Sequence, residues 1–96
     1  MSITVLITYT GKEQRAQEFM QEMLASGLVE KIRAQAGNER YEYFLPVDHV
    51  HSVLLIDRWT DQHALDSHHR SPMMKEIATL RKKYKLSMQV ETFQHE

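Results

Sequence analysis

A histidine, an aspartate, a tryptophan and two tyrosines stand where local periodicity would bring them onto shared faces. His68 follows Leu65 by three residues in a segment of helical spacing, so its imidazole shares the side of an apolar residue. There it could take a proton from an enol or a phenol near neutral pH. Asp57 lies two residues before Trp59 in an apolar run, and a strand would put both on one face. The carboxylate could orient an imidazole or bind a substrate hydroxyl, and the indole N–H could donate to a substrate oxygen. Tyr41 and Tyr43 likewise alternate onto one face, each offering a phenol O–H. Plainer roles fit the same spacing: a hydrogen-bonded structural histidine, a solvated strand-end carboxylate, a core tryptophan, and tyrosines packed at a subunit interface. His69, turned about 100° from His68 on a helix, is expected to face solvent.

Other chemistries find less support. The chain has no cysteine, hence no thiolate nucleophile and no disulfide frame, which fits a cytoplasmic location. His49 and His51 flank Asp48, with His63 and His69 further on, but no third ligand falls at helical or strand spacing, so no metal site is expected. Twelve basic and thirteen acidic side chains give a formal charge of -1, too balanced to drive binding to phosphate backbones, and nucleic acid is not an expected partner. No apolar run could span a bilayer, so no membrane partner is expected either, and Met1–Thr10 reads as a strand rather than a leader. With 42% apolar and 26% charged residues in 96, the composition is that of one ordinary globular domain, expected over residues 1–96.

The elements that must position these groups can be read in order. Ile3, Val5, Ile7 and Tyr9 alternate with Thr4, Leu6, Thr8 and Thr10 in a first strand whose two faces both carry apolar groups. Thr10 to Glu13 has the form of a capping box, and Ala16, Phe19, Met20, Met23 and Leu24 follow as a helical stripe. Leu28, Val29 and Ile32 form a short helix ending at Gly37-Asn38. Tyr41 to Leu45 and Val53 to Trp59 read as strands, the latter the most apolar and so central. Asp61 can cap a helix holding Ala64, Leu65 and His68, and Ser71-Pro72 can start another lined by Met73, Ile77, Leu80 and Tyr84. Arg81 to Lys85 reads as a solvated, basic helix end, and Met88, Val90 and Phe93 as a last strand. The result is an α+β, ferredoxin-like β-α-β-β-α-β order.

With the elements placed, Asp57-Arg58-Trp59, Ala64-Leu65-Asp66-Ser67-His68 and Ser71-Pro72 fall into a register that resembles the antibiotic biosynthesis monooxygenase-like family, over nearly the whole chain. The resemblance implies a dimeric α/β barrel, in which two chains pack sheet against sheet and each keeps a pocket between sheet and helices. It also implies a homodimer acting on a small-molecule substrate. The activity it implies is a cofactor-independent monooxygenase or oxidase working on a small quinol-like or enolisable molecule, with His68 as base and Trp59, Tyr43, Tyr41 and Asp57 contacting substrate. An electron-rich anion can reduce dioxygen directly, so such a reaction needs little more than a base and a dry pocket.

The chain departs from these relatives at four positions. Polyketide oxygenases of the family carry an asparagine four residues before the tryptophan, where this chain has Leu55. Haem-degrading relatives use an asparagine and a histidine at places that here hold Ile7 and Ile77 or their neighbours, and Met73 replaces a common histidine after the proline. These changes favour a rival reading, a non-catalytic dimeric binding or stress-response module of the same fold.

Overall fold

The computed structural model describes residues 1–95 and contains a four-stranded antiparallel sheet of order β2-β3-β1-β4. The strands are β1 (Ser2–Thr10), β2 (Asn38–Phe44), β3 (Ser52–Trp59) and β4 (Ser87–His95). Helices α1 (Arg15–Ala25) and α2 (Leu28–Arg33) connect β1 to β2, and α3 (Gln62–His69) and α4 (Pro72–Lys83) connect β3 to β4. This is the expected ferredoxin-like α+β arrangement, with β3 and β1 in the centre.

One sheet face is the core. Ile3, Val5 and Tyr9 of β1 and Val53, Leu55, Asp57 and Trp59 of β3 are buried beneath the helices, as the period of two requires. Ala16, Phe19 and Met23 of α1 and Leu28, Val29 and Ile32 of α2 cover them. Phe19 is fully buried, with its ring centroid 4.8 Å from that of Tyr9. Leu24 was expected in this stripe but is 48% exposed, because it sits 100° around the helix from Met23 and the sheet lies on one side only.

The expected capping box does not form. Thr10 remains the last residue of β1, where its hydroxyl bonds the Ser52 hydroxyl at 2.7 Å on the final rung, so it is not free to cap. α1 instead follows Gln14 with no side-chain cap. The cap expected at Asp61 is present: its Oδ1 accepts from the Ala64 N–H at 2.9 Å. Ser71 precedes Pro72 as expected, but its hydroxyl donates backwards to the His68 carbonyl at 2.7 Å, tying α4 to the end of α3.

Gly37 has a φ of +85° and accepts a 2.8 Å bond from the Thr60 N–H. A Cβ there would lie 2.5 Å from the Ala64 Cβ and 2.9 Å from the Thr60 Cγ2, so only glycine lets α3 seat against the α2–β2 turn.

The opposite sheet face has no helical cover. Leu6, Leu54 and Ile56 occupy its middle, half-buried, with Phe44 and Phe93 further out. Ion pairs Arg40–Glu42 and Arg58–Glu39 rim it. Phe93 lies on this face, paired with Thr4, whereas Met88 and Val90 point to the helix side, so the last strand is apolar on both faces, like β1. Replacing Phe19 by alanine should cost on the order of 3 to 5 kcal/mol by chemical denaturation, and the exposed Glu18→Ala almost nothing. Equal costs would contradict this packing.

Candidate active site

All four strands present a row of side chains to the helices: Tyr41 on β2, Asp57 on β3 and Val5 on β1 are paired neighbours, with Thr92 of β4 completing the row. Trp59 stands two residues along β3 from Asp57, and Leu55 two residues the other way. The Asp61 cap fixes the start of α3, Ser71 holds its end, and the helix turns Leu65 and His68 down onto this surface. The His68 ring stacks on Trp59, with centroids 4.7 Å apart and planes 25° from parallel.

Gln35, in the turn after α2, reaches His68 from the other half of the chain, its Oε1 lying 2.7 Å from Nδ1. An amide oxygen only accepts, so Nδ1 carries the proton, and Nε2 is the basic nitrogen, with no partner among the described residues.

Between the sheet and α3 and α4 lies a cavity of about 320 Å³. Its walls are mostly apolar, with Val5, Ile7, Leu55, Leu65, Ile77 and Val90 among them. The polar lining comes from Tyr9, Tyr41, Asp57, His68, His69, Arg81 and Thr92. The four positions at which the chain departs from its relatives cluster here: Leu55, Ile7 and Ile77 line the cavity, while Met73 packs against the core close by.

Burial sets the electrostatics. It pushes the Asp57 carboxyl up to about 7, only partly opposed by the facing Trp59 N–H. It pushes the His68 imidazole down to about 4, with His69 adding to the effect. Tyr41 and Tyr43 are driven well above the ordinary phenol range, by burial first, with Tyr43 adding to the effect at Tyr41 and Tyr9 adding to it at Tyr43. Around neutral pH the site therefore holds a neutral histidine, neutral phenols and a carboxyl near its midpoint. Three buried polar atoms, Asp57 Oδ1, Trp59 Nε1 and Tyr43 OH, complete no hydrogen bond of ordinary geometry. Such groups are rare in folded proteins, and here they cluster.

The structure brings His68, Asp57 and Tyr41 to the cavity wall. Trp59 and Tyr43 are not on that wall. The indole is fully buried and meets the cavity through His68, and the Tyr43 ring stands edge-on to Tyr41 at 5.8 Å. His69 is exposed, as expected, yet also lines the rim. Tyr9 and Arg81 were missed. Tyr9 shares the β1 face of Val5, and Arg81 follows Ile77 by four residues, so the phase of each element contained the signal. Arg81 is thus part of the cavity and not only of a solvated helix end. The His49 and His51 turn serves as a strap instead, with His51 Nδ1 hydrogen-bonded to the Glu13 carbonyl at 2.9 Å. No cluster of three or more metal-ligating side chains occurs among the described residues.

The raised Asp57 pKa has a stability consequence. Between about pH 4 and 7 the folded chain holds a proton on Asp57 that the unfolded chain has released, so this group's contribution falls as pH rises and stays low above about 7. Asp57→Asn should therefore gain stability relative to the parent as pH rises through this range, by on the order of a few kcal/mol at pH 8. His68 runs the opposite way, losing stability as pH falls from about 6.5 to about 4, but it is common to both proteins and cancels. Melting curves of the two proteins from pH 4 to 8 with a constant difference would contradict the buried carboxyl.

The chain has relatives among known proteins, and the fold has counterparts among solved structures. A family model described as antibiotic biosynthesis monooxygenase matches residues 2–80. The Bacillus subtilis protein named "Putative monooxygenase YcnE" is 30% identical over 60 residues, 62% of this chain and 61% of that one, so the match spans less than two thirds of that relative. A conserved protein from Methanosarcina mazei superposes with a TM-score of 0.84 at 24% identity, covering 100% of this chain and 94% of the other. A variant of SnoaB, a cofactor-independent oxygenase from Streptomyces nogalater, superposes with a TM-score of 0.81 at 19% identity, over 99% and 93% of the two chains. These structural likenesses bear on the fold, and the family match rests on the sequence itself. With most of its length inside that match, the chain belongs to the antibiotic biosynthesis monooxygenase family.

Proposed function

We propose that this protein is a cofactor-independent oxygenase acting on a small quinol-like or enolisable molecule, with His68 as its base. The observation that carries the reading is the commitment of His68 Nδ1 to Gln35, which leaves Nε2 unprotonated and unpartnered in a side chain lining an apolar cavity. The low imidazole pKa keeps the base neutral at pH 7 at the cost of strength. A substrate anion beside the imidazolium offsets that loss, because the two charges form together in a dry site.

The chemistry balances with dioxygen as the only co-reactant. Nε2 takes the enol or phenol proton, the resulting anion passes an electron to dioxygen, and the radical pair joins carbon to oxygen as a peroxide. The imidazolium returns the proton to that peroxide. Loss of water from the carbon that carried hydrogen leaves a carbonyl, so one oxygen atom enters product and the other leaves in water. Asp57 and Tyr41 would bind substrate oxygens, while Trp59 and Tyr43, from behind the wall, position His68 and Tyr41. The likeness to SnoaB supports this reading.

We also propose a homodimer joined through the uncovered sheet face, since a monomer would leave Leu6, Leu54, Ile56 and Phe93 together at the water boundary. Sedimentation at micromolar concentration should give about twice the 11.3 kDa chain mass, and a stable monomer would contradict it. The second reading, a binding module without turnover, is favoured by Leu55 facing the cavity where an oxygen-polarising amide would help.

Oxygen uptake with a panel of quinols and enediols separates the two readings. Given a turned-over substrate, His68→Ala and His68→Gln should lose about 10² to 10⁴ in rate with the fold retained in melting curves, whereas the exposed His49→Ala should match the parent. Ligand binding without oxygen uptake would favour the binding module, and undiminished turnover in both His68 variants would remove the base.

A further inference from the structure

Among the described residues, Arg81 is the one permanently charged side chain in the cavity lining. It is half-buried and enters no ion pair or side-chain hydrogen bond with any described residue. Arg33, Arg40, Arg58 and Lys83, by contrast, each hold a carbonyl or a carboxylate. A guanidinium set into an apolar wall without an acceptor is an unspent donor, with the planar fork that fits a carboxylate. Its charge is felt at Tyr9, where it opposes the burial that pushes the phenol up to about 12, an effect to which Asp57 adds. Arg81 stands in the last turn of α4, after which β4 enters the sheet opposite Thr10, whereas Asp57 is level with Val5 and Thr92, so the two stand toward different ends of the cavity. The strand register agrees: Asp57 pairs with Val5, and Tyr9 lies four residues further along β1, roughly 13 Å.

We infer that Arg81 is an anion-binding residue and that the cavity takes a small, flat, apolar carboxylate, its carboxylate at Arg81 and Tyr9 and its enol or phenol O–H at the His68 and Asp57 end. This rests on the cavity being the substrate site. A volume of about 320 Å³ suits a body of one or two rings. Arg81 is then a specificity residue. It selects against neutral analogues by leaving its own charge unpaired when they bind, and it touches no reacting atom.

Isothermal titration of the full chain at pH 8 with 6-hydroxy-2-naphthoate and with the matching neutral amide tests this. The parent should bind the carboxylate at least about tenfold more tightly than the amide. Arg81→Gln should abolish that preference while leaving amide affinity in place, which also shows that the cavity is intact, and Arg81→Lys should retain part of it. A carboxylate preference unchanged by Arg81→Gln, or tighter binding of the amide by the parent, would overturn the assignment alone. Failure of both probes to bind the parent would overturn the cavity as the substrate site, and this assignment with it.

Discussion

The inner face of the sheet must serve as hydrophobic core and as the floor of a polar site at once, and the side-chain period of two leaves no second surface for either role. Val53, Leu55, Asp57 and Trp59 are consecutive inward positions of β3, so the carboxylate is set among apolar neighbours by the same alternation that buries them. Burial then does the chemical tuning. It raises Asp57, lowers His68 and keeps the phenols protonated, so these groups stand close to neutral charge beside the fixed charge of Arg81.

Such a floor is useful only if the covering helix is held to it tightly. α3 has eight residues, too few to be stable by itself, and it is fixed from three sides. Asp61 caps its start, Ser71 closes its end, and the absence of a side chain at Gly37 lets Ala64 approach the α2–β2 turn. The Trp59 stack and the Gln35 bond then leave His68 one ring orientation and one tautomer. Trp59 in this arrangement is a surface for the imidazole to lie on, which explains why so large a side chain is buried beside a cavity it does not line.

The order of elements along the chain, the central position of β3, the Asp61 cap and the inward aim of His68 were legible because each rests on local periodicity or a short-range cap. The same reasoning failed where a partner distant in the chain decides the outcome. Thr10 looked like a capping residue until the β1–β3 ladder claimed it. Trp59 looked like a cavity wall until α3 laid His68 across it. Arg81 was masked by its lysine neighbours, since a basic run at a helix end has a sufficient explanation in the helix dipole, and only the helical phase from Ile77 separates the residue that turns inward from those that do not. Gln35 gave no signal at all, because a single amide in a turn belongs to no pattern.

That amide has a consequence for how such a site can change. Gln35 comes from the first half of the fold, touches the imidazole at Nδ1 and is not part of the cavity lining, so its identity sets the basicity of Nε2 without altering the shape of the cavity. A carboxylate in its place would favour the imidazolium and raise the affinity of Nε2 for a proton, while an apolar residue would free the ring to exchange tautomers. Shape and basicity are therefore encoded at separate positions, the first in the cavity lining and the second behind it. A lineage of such proteins could exchange one substrate outline for another through Leu55 or Ile77 and retune its proton chemistry independently through residue 35.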